Sequence, residues 1–89
     1  MVTVTVRVYL TEAFKQGPVP LSASTCIEAL RSLVAEYPVL KGVILTEEMR
    51  LKRDYIYLLN GRNVEFLGKE DALLKDGDTI SLFPPIGGG

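Results

Sequence analysis

The chain has 89 residues, with 10 basic and 11 acidic side chains and a formal net charge of −1. A chain this short forms one domain, and charges scattered along it do not make the basic stripe that nucleic-acid binding requires. It contains no apolar stretch near the roughly 20 residues that cross a bilayer, and no secretory signal precedes its first strand pattern. We therefore expect a cytoplasmic protein that binds neither nucleic acid nor a membrane.

The N-terminal part of the chain predicts two strands. Valines at positions 2, 4, 6 and 8 alternate with polar and aromatic residues, which indicates a strand with one buried face. Gly17-Pro18 predicts a turn, and residues 19–21 predict a return strand. Because Pro18 and Pro20 have no N–H to donate, we expect the return strand at an edge of the sheet.

The next segment predicts one helix over residues 26–36. Thr25 and Glu28 have the spacing of a capping box, in which each side chain accepts a hydrogen bond from a free backbone N–H at the start of the helix. Pro38 disfavours a helical conformation at the residue before it and so ends the helix. The apolar side chains that recur at steps of three and four residues are Ile27, Leu30, Val34 and Tyr37.

The middle of the chain mixes short elements. Residues 39–49 have the apolar spacing of a short second helix, and residues 51–54 form a charged linker. Residues 55–59 predict a strand and Asn60-Gly61 a tight turn. We expect the returning strand of this hairpin at residues 64–67.

The last strand pattern covers residues 79–83, with Ile80 and Leu82 on one face. This order of elements predicts an α+β roll, in which one main helix crosses a mixed sheet of four to five strands. The first and last strands are apolar enough to lie side by side in the centre of that sheet. We expect the folded domain to span residues 1–86 and a flexible tail to span residues 87–89.

The sequence offers no internal catalytic set. Histidine is absent, and we find no metal-ligand cluster and no glycine-rich loop between a strand and a helix. The paired carboxylates Glu47-Glu48 and Glu70-Asp71 lie in polar stretches and are predicted to be solvated. Cys26 lies in the first helical turn, where a dipole lowers a thiol pKa, but we favour packing against the sheet as a small apolar side chain. We expect no autonomous enzyme activity.

The C-terminal residues are the strongest candidate site. The final strand runs into Phe83-Pro84-Pro85, where the prolines stop regular pairing because they lack an N–H. Gly87-Gly88-Gly89 carry no side chains, so an extended tail fits a narrow channel in another protein and ends in an unhindered carboxylate. The alternative is a frayed end or an expression remnant.

Three short motifs together resemble the MoaD/ThiS family of sulfur carriers. They are Asn60-Gly61 after an apolar strand, the run Leu-Lys-Asp-Gly-Asp at residues 74–78, and Phe83-Pro84-Pro85 leading to Gly88-Gly89. The resemblance covers nearly the whole chain. The two prolines and the chain length are more similar to the small subunit of molybdopterin synthase than to the shorter thiamine-pathway carrier. Gly87 departs from the alanine or serine that is common in that subunit.

The resemblance implies a ubiquitin-like β-grasp fold and chemistry at the C-terminus. In this family an E1-like enzyme uses ATP to adenylate the terminal carboxylate, here that of Gly89. A sulfur-donor protein then supplies the sulfur that makes a thiocarboxylate, and the large catalytic subunit of molybdopterin synthase accepts that sulfur for the molybdenum or tungsten cofactor. The chain itself is implied to bind no cofactor or metal, and to be a sulfur-donor subunit without catalysis of its own.

A docking surface beside the tail follows from strand alternation. If Ile56 and Leu58 face the helix, the opposite face of the sheet carries an apolar patch of the kind that interfaces use. The residues predicted to contact a partner are Tyr57, Leu59, Phe83, Pro84, Pro85, Gly87 and Gly88. The alternative is that residues 39–49 cover this patch.

Other functions are compatible with the same fold. A protein modifier would be joined through Gly89 to lysines of target proteins, and a sulfur carrier could serve thiamine synthesis or tRNA thiolation instead. A third possibility is an interaction module with an inert tail. The carrier and the modifier both begin with adenylation, so the sequence leaves the choice between them open.

Overall fold

The computed structural model describes residues 2–9 and 18–84, which form a mixed five-stranded sheet with one α-helix packed on one face. The strands are β1 (Val2–Val8), β2 (Val19–Ala23), β3 (Ile56–Leu59), β4 (Arg62–Asn63) and β5 (Thr79–Phe83), and the helix is α1 (Cys26–Glu36). Within these ranges no helix has the length and apolar character needed to cross a membrane. The predicted α+β roll and the predicted helix bounds are confirmed.

The sheet has the strand order β2-β1-β5-β3-β4. β1 and β5 are parallel neighbours, with Val6 opposite Ile80, and the other pairs are antiparallel. The first and last strands therefore lie in the centre of the sheet, as predicted. β2 lies at an edge of the sheet, and Pro20 is paired with Thr5. A proline is tolerated there because, among the described residues, no further strand on the outer side needs its missing N–H.

The capping residues and the apolar face of α1 agree with the sequence pattern. The Thr25 hydroxyl accepts a hydrogen bond from the Glu28 N–H at 3.4 Å. The Glu28 carboxylate accepts one from the Ser24 N–H at 3.0 Å, one residue earlier than in a standard capping box. The side chains that α1 buries against the sheet are Cys26, Ile27, Ala29, Leu30, Leu33 and Val34.

The second helix predicted at residues 39–49 is wrong. The chain instead makes a single 3₁₀ turn at Pro38–Leu40, and a left-handed Gly42 (φ +76°) interrupts any continuation. Leu45 then forms an isolated bridge with Leu51. The apolar residues of this segment with no exposed surface are Leu40, Ile44 and Leu45. The helix-like spacing therefore reflects three apolar side chains that an irregular segment, and not a helix, buries in the core.

The β3–β4 hairpin has the predicted turn, but its returning strand begins earlier in the chain than predicted. Asn60 (φ +52°) and Gly61 (φ +86°) are both left-handed, as a two-residue turn of the I′ type requires. Such a turn places pairing immediately after Gly61, so the returning strand is Arg62–Asn63. The prediction of that strand at residues 64–67 is wrong, because the Asn63 side chain accepts a hydrogen bond from the Glu65 N–H and starts a 3₁₀ turn.

Candidate functional site

β5 holds the point from which the C-terminal tail departs. Its side chains Ile80 and Leu82 have no exposed surface, and its backbone pairs with β1 on one side and β3 on the other. Phe83 is the last strand residue, and Pro84 is the last residue that the structure describes. The predicted site residues that lie outside the described ranges are Pro85, Gly87, Gly88 and Gly89. The roles predicted for these four residues, and the tail at 87–89, stay predictions.

Phe83 faces away from the core, as predicted. Its ring stacks on the ring of Tyr9, with centroids 4.6 Å apart and planes 5° from parallel. Tyr9 follows β1 directly, and its N–H donates a hydrogen bond to the Leu82 carbonyl at 2.9 Å. Because Tyr9 is 45% exposed, this aromatic pair lies at the surface of the sheet beside the start of the tail.

Tyr57 and Leu59 were predicted to face a partner, and this prediction is wrong. They are 3% and 7% exposed, and in the register of β3 with β5 they lie opposite Leu82 and Ile80 in the core. β3 is apolar on both faces, so alternation alone does not reveal which set points inward. The pairing with β5 decides which β3 side chains point inward, because the buried side chains of β5 are already clear from its own pattern.

The alternative, in which the segment of residues 39–49 covers this part of the sheet, is correct for Tyr57. Its hydroxyl donates a hydrogen bond to the Ile44 carbonyl at 2.6 Å and accepts one from the Lys52 N–H at 2.9 Å. Burial raises the pKa of Tyr57 to about 12, although the hydrogen bond from Lys52 acts in the opposite direction. Tyr57 therefore fastens the irregular segment to β3 and does not form the docking surface that was predicted beside the tail.

The reversed alternation leaves a different apolar surface. Ile56 lies opposite Phe83 in the ladder and Leu58 lies opposite Ser81, all of them partly exposed. We define the outer apolar face as Tyr9, Ile56, Leu58 and Phe83. Because α1 packs on the other side of the sheet, this face is open to solvent in the part of the chain that the structure describes.

The motif residues that carry the family resemblance have a structural role. The Asn60 amide donates to an Asp78 carboxylate oxygen at 2.8 Å, and its carbonyl oxygen accepts from the Thr79 N–H at 2.9 Å. The other Asp78 oxygen accepts from the Lys75 N–H at 2.8 Å. These bonds fasten the hairpin turn to the start of β5. They fix the register on which the outer apolar face depends.

Cys26 is a core residue, as we favoured. It has no exposed surface, and burial raises its pKa to about 12, with the charge of Glu70 adding to the effect. The thiol is therefore protonated near neutral pH and is not the thiolate that a nucleophile requires.

The carboxylates divide into two groups. Glu47, Glu48 and Asp71 are exposed, as predicted. Glu70 is not simply solvated, since one oxygen accepts hydrogen bonds from the Arg50 guanidinium at 3.3 Å and from the Leu51 N–H at 3.4 Å. Partial desolvation acts to raise the Glu70 pKa, but hydrogen bonds from backbone N–H groups and the charge of Arg50 lower it overall. Glu70 is thus a structural anion.

Comparison with known proteins gives several close matches. Residues 6–89 match the model of the ThiS family. Small archaeal modifier protein 3 of Haloferax volcanii is 42% identical over 66 residues, which cover 74% of this chain and 71% of that protein. Small archaeal modifier protein 1 of Methanosarcina acetivorans has a solution structure that matches with a TM-score of 0.88 and 35% identity, covering 100% of this chain and 98% of that one.

A further match lies in a complex. A chain of the complex between subunits 1 and 2 of the molybdopterin-converting factor from Helicobacter pylori matches with a TM-score of 0.66 and 28% identity, covering 98% of this chain and 99% of that one. The sheet order and these neighbours define a ubiquitin-like β-grasp protein. The match over residues 6–89 goes further, and the chain belongs to the ThiS family. It is therefore a member of a family of ubiquitin-like sulfur carriers and modifiers, as the sequence motifs predicted.

Proposed function

We propose that the carboxyl group of Gly89 is the reacting group of this chain. An E1-like enzyme joins the AMP part of ATP to this carboxylate and releases pyrophosphate. A donor protein then supplies hydrosulfide, whose sulfur attacks the acyl carbon; the acyl–phosphate bond breaks, AMP leaves, the S–H proton is lost, and a thiocarboxylate results. The observation that carries the proposal is the family match, which continues through residue 89. ATP is bound by the activating enzyme in this scheme, and the carrier contributes no cofactor of its own.

We assign the sulfur to molybdopterin synthesis, with the large catalytic subunit of molybdopterin synthase as acceptor. The likeness to a chain of the two-subunit molybdopterin-converting factor supports this assignment. The central position of β5 suits delivery of the tail to any partner, because a strand paired on both sides gives the tail a fixed starting point. Pro84 and Pro85 have no N–H, so regular strand pairing does not extend to them.

The partner contacts the outer apolar face in this proposal. Phe83 and Tyr9 form a stacked pair at the C-terminal end of β5, and Ile56 and Leu58 extend the apolar surface along β3. A few residues near the centre of an interface, aromatic ones prominent among them, supply most of its binding energy. Docking on this face places the tail at the partner's active site.

Protein modification is the second candidate, because two of the matched proteins are named small archaeal modifier proteins. In that case the adenylated Gly89 carbonyl is attacked by the ε-amine of a lysine on a target protein, AMP leaves, and an isopeptide bond forms. The first step is the same as for the sulfur carrier, so the two functions diverge only at the nucleophile.

Intact-mass spectrometry of the protein from its own cells tests the sulfur-carrier function. We expect a species in which one oxygen of the C-terminus is replaced by sulfur, and its loss when Gly89 is deleted. The matched control is Gly87→Ala, which changes the tail but keeps the final glycine pair, and which should still load sulfur. Loading that survives deletion of Gly89, or loss of loading in the control alone, would contradict the proposal.

Two further measurements separate the destinations. Addition of the thiocarboxylated protein to the large catalytic subunit and a pyranopterin precursor should yield molybdopterin if the first assignment is right. Branched peptides that carry the C-terminal glycines on lysines of cellular proteins, without molybdopterin formation, would establish the modifier instead.

A further inference from the structure

A cleft of about 460 Å³ lies beside the β3–β4 hairpin. Tyr55 and Tyr57, with ring centroids 6.3 Å apart, contribute to it from the core side of the strand, opposite to the outer apolar face. The cleft is also lined by residues 50–53 and, from a later part of the chain, by Lys69 and Glu70. The Arg50–Glu70 ion pair joins these two segments. We call this feature the basic cleft.

The charges around the basic cleft are unbalanced, although the whole chain is slightly acidic. The cationic side chains that line it are Arg50, Lys52, Arg53 and Lys69, and the carboxylates are Glu65 and Glu70. Positive charges gathered in a concave surface attract an anionic ligand and raise its rate of association.

Two of the four cationic side chains already interact with other groups of the chain. Arg50 pairs with Glu70 at 3.3 Å, and the Lys52 ammonium lies 5.2 Å from the centre of the Tyr55 ring. Over residues 2–9 and 18–84, by contrast, no carboxylate lies within ion-pair distance of Arg53 or Lys69. These two cations both line the cleft and are both exposed. They are available to a ligand.

The mixed lining favours a peptide over a phosphate group. A phosphate concentrates its charge in one place, where Glu65 and Glu70 would repel it, and a phosphate site uses converging backbone N–H groups or bidentate arginines. An extended peptide instead spaces alternate side chains roughly 7 Å apart. Its carboxylates reach Arg53 and Lys69, its backbone N–H groups suit Glu65, and its apolar side chains suit the Tyr55 ring.

We propose that the basic cleft binds an extended acidic segment of a protein partner. Tyr55 immediately precedes Ile56 of the outer apolar face, so a partner docked on that face reaches the cleft by passing around the end of β3. The segment would then act as a second clamp that selects among partners by charge. The proposal goes beyond the function proposed above and requires no chemistry at Gly89.

An NMR titration of the full-length chain tests this without any partner protein. The probe is a capped peptide of sequence Glu-Leu-Glu-Phe-Glu-Leu, and the comparison peptide has glutamine in place of each glutamate. We expect shifts confined to the amides of residues 50–53, 63–65 and 69–70, with binding about tenfold tighter for the acidic peptide. Raising NaCl from about 0.1 to 1 M should weaken binding, because the Debye length falls from about 10 to 3 Å. Deletion of Gly89 should leave binding unchanged, which separates this test from that of the sulfur chemistry.

Charge-reversal variants complete the test. Arg53→Glu with Lys69→Glu should weaken binding of the acidic peptide about tenfold. The matched control is Lys41→Glu with Lys75→Glu, which makes the same change in net charge at exposed positions outside the cleft and should leave binding within about twofold. Equal binding of the two peptides, equal effects of the two double variants, or tighter binding of AMP or inorganic phosphate to the same amides would each overturn the proposal.

Discussion

Replacing Tyr57 with phenylalanine removes one oxygen atom that holds the irregular segment against β3. The hydroxyl donates to the Ile44 carbonyl at 2.6 Å and accepts from the Lys52 N–H at 2.9 Å. Ile44 has no exposed surface, so its carbonyl would lose its partner without gaining water. A buried group left unsatisfied costs about 1–3 kcal/mol, and the ring itself still packs. We therefore expect a loss of about 2 kcal/mol in the free energy of unfolding.

Urea denaturation followed by circular dichroism measures this loss. With a urea dependence of about 1 kcal/mol per molar for so small a domain, the midpoint should fall by about 2 M. The melting temperature should fall by roughly 8–16 °C, since 1 kcal/mol shifts a domain of this size by about 4–8 °C. The control is Tyr55→Phe, whose hydroxyl bonds to none of the described residues and whose loss should cost less than about 0.5 kcal/mol.

The pH dependence gives an independent readout. Unfolded tyrosine ionises with a pKa near 10.0, whereas burial holds Tyr57 protonated up to about pH 12. Between these values the folded state binds more protons than the unfolded state, so the wild type loses stability as the pH rises. The advantage of the wild type over Tyr57→Phe should therefore narrow above pH 10. Equal stability of Tyr57→Phe and Tyr55→Phe at pH 7 would refute the reasoning.

Three other substitutions or modifications test separate features. Leu30→Ala empties a fully buried position of α1 and should lower the free energy of unfolding by about 2–4 kcal/mol in a urea titration. Glu36→Ala, at an exposed position, should lower it by less than about 0.5 kcal/mol. Similar losses for the two variants would show that the helix face is misassigned. Cys26 should resist alkylation at pH 7 in the native protein and react in denaturant, and rapid native alkylation would contradict its burial. Phe83→Asp should weaken binding of the large catalytic subunit roughly thirtyfold in a calorimetric titration, with little change in melting temperature. Val39→Asp, at an exposed apolar position on another surface, should bind normally. A collapsed melt with unchanged affinity would place Phe83 in the core.

Local chemistry accounts for the predictions that were confirmed. The alternating valines of β1, the Thr25 cap and the Asn60-Gly61 turn each act within a few residues, through backbone pairing, a side-chain hydrogen bond and positive φ. Such signals are readable from sequence because their partners are neighbours in the chain. The motif around Asp78 was equally visible, although its bonds to Asn60 became apparent only in the fold.

The errors have a different physical origin. The spacing of Leu40, Ile44 and Leu45 is compatible with a helix, yet these three buried side chains belong to an irregular segment. The backbone of that segment follows the space left beside α1 and the sheet. The spacing of apolar side chains records burial, and burial does not distinguish a helix from a loop that is pressed into a core. The shape of the neighbouring elements makes that choice.

The sequence by itself determined the order and type of the main elements, the central pairing of β1 with β5, and the family to which the chain belongs. Only the tertiary structure decided which face of β3 is buried, and therefore that Ile56 and Leu58, rather than Tyr57 and Leu59, lie beside Phe83 on the outer apolar face. It also brought Arg53 and Lys69, which are distant in the sequence, to the lining of one cleft. The physical reason is that both sets of β3 side chains are apolar. Their inward direction is then set by register with a strand more than twenty residues away, which no local pattern encodes.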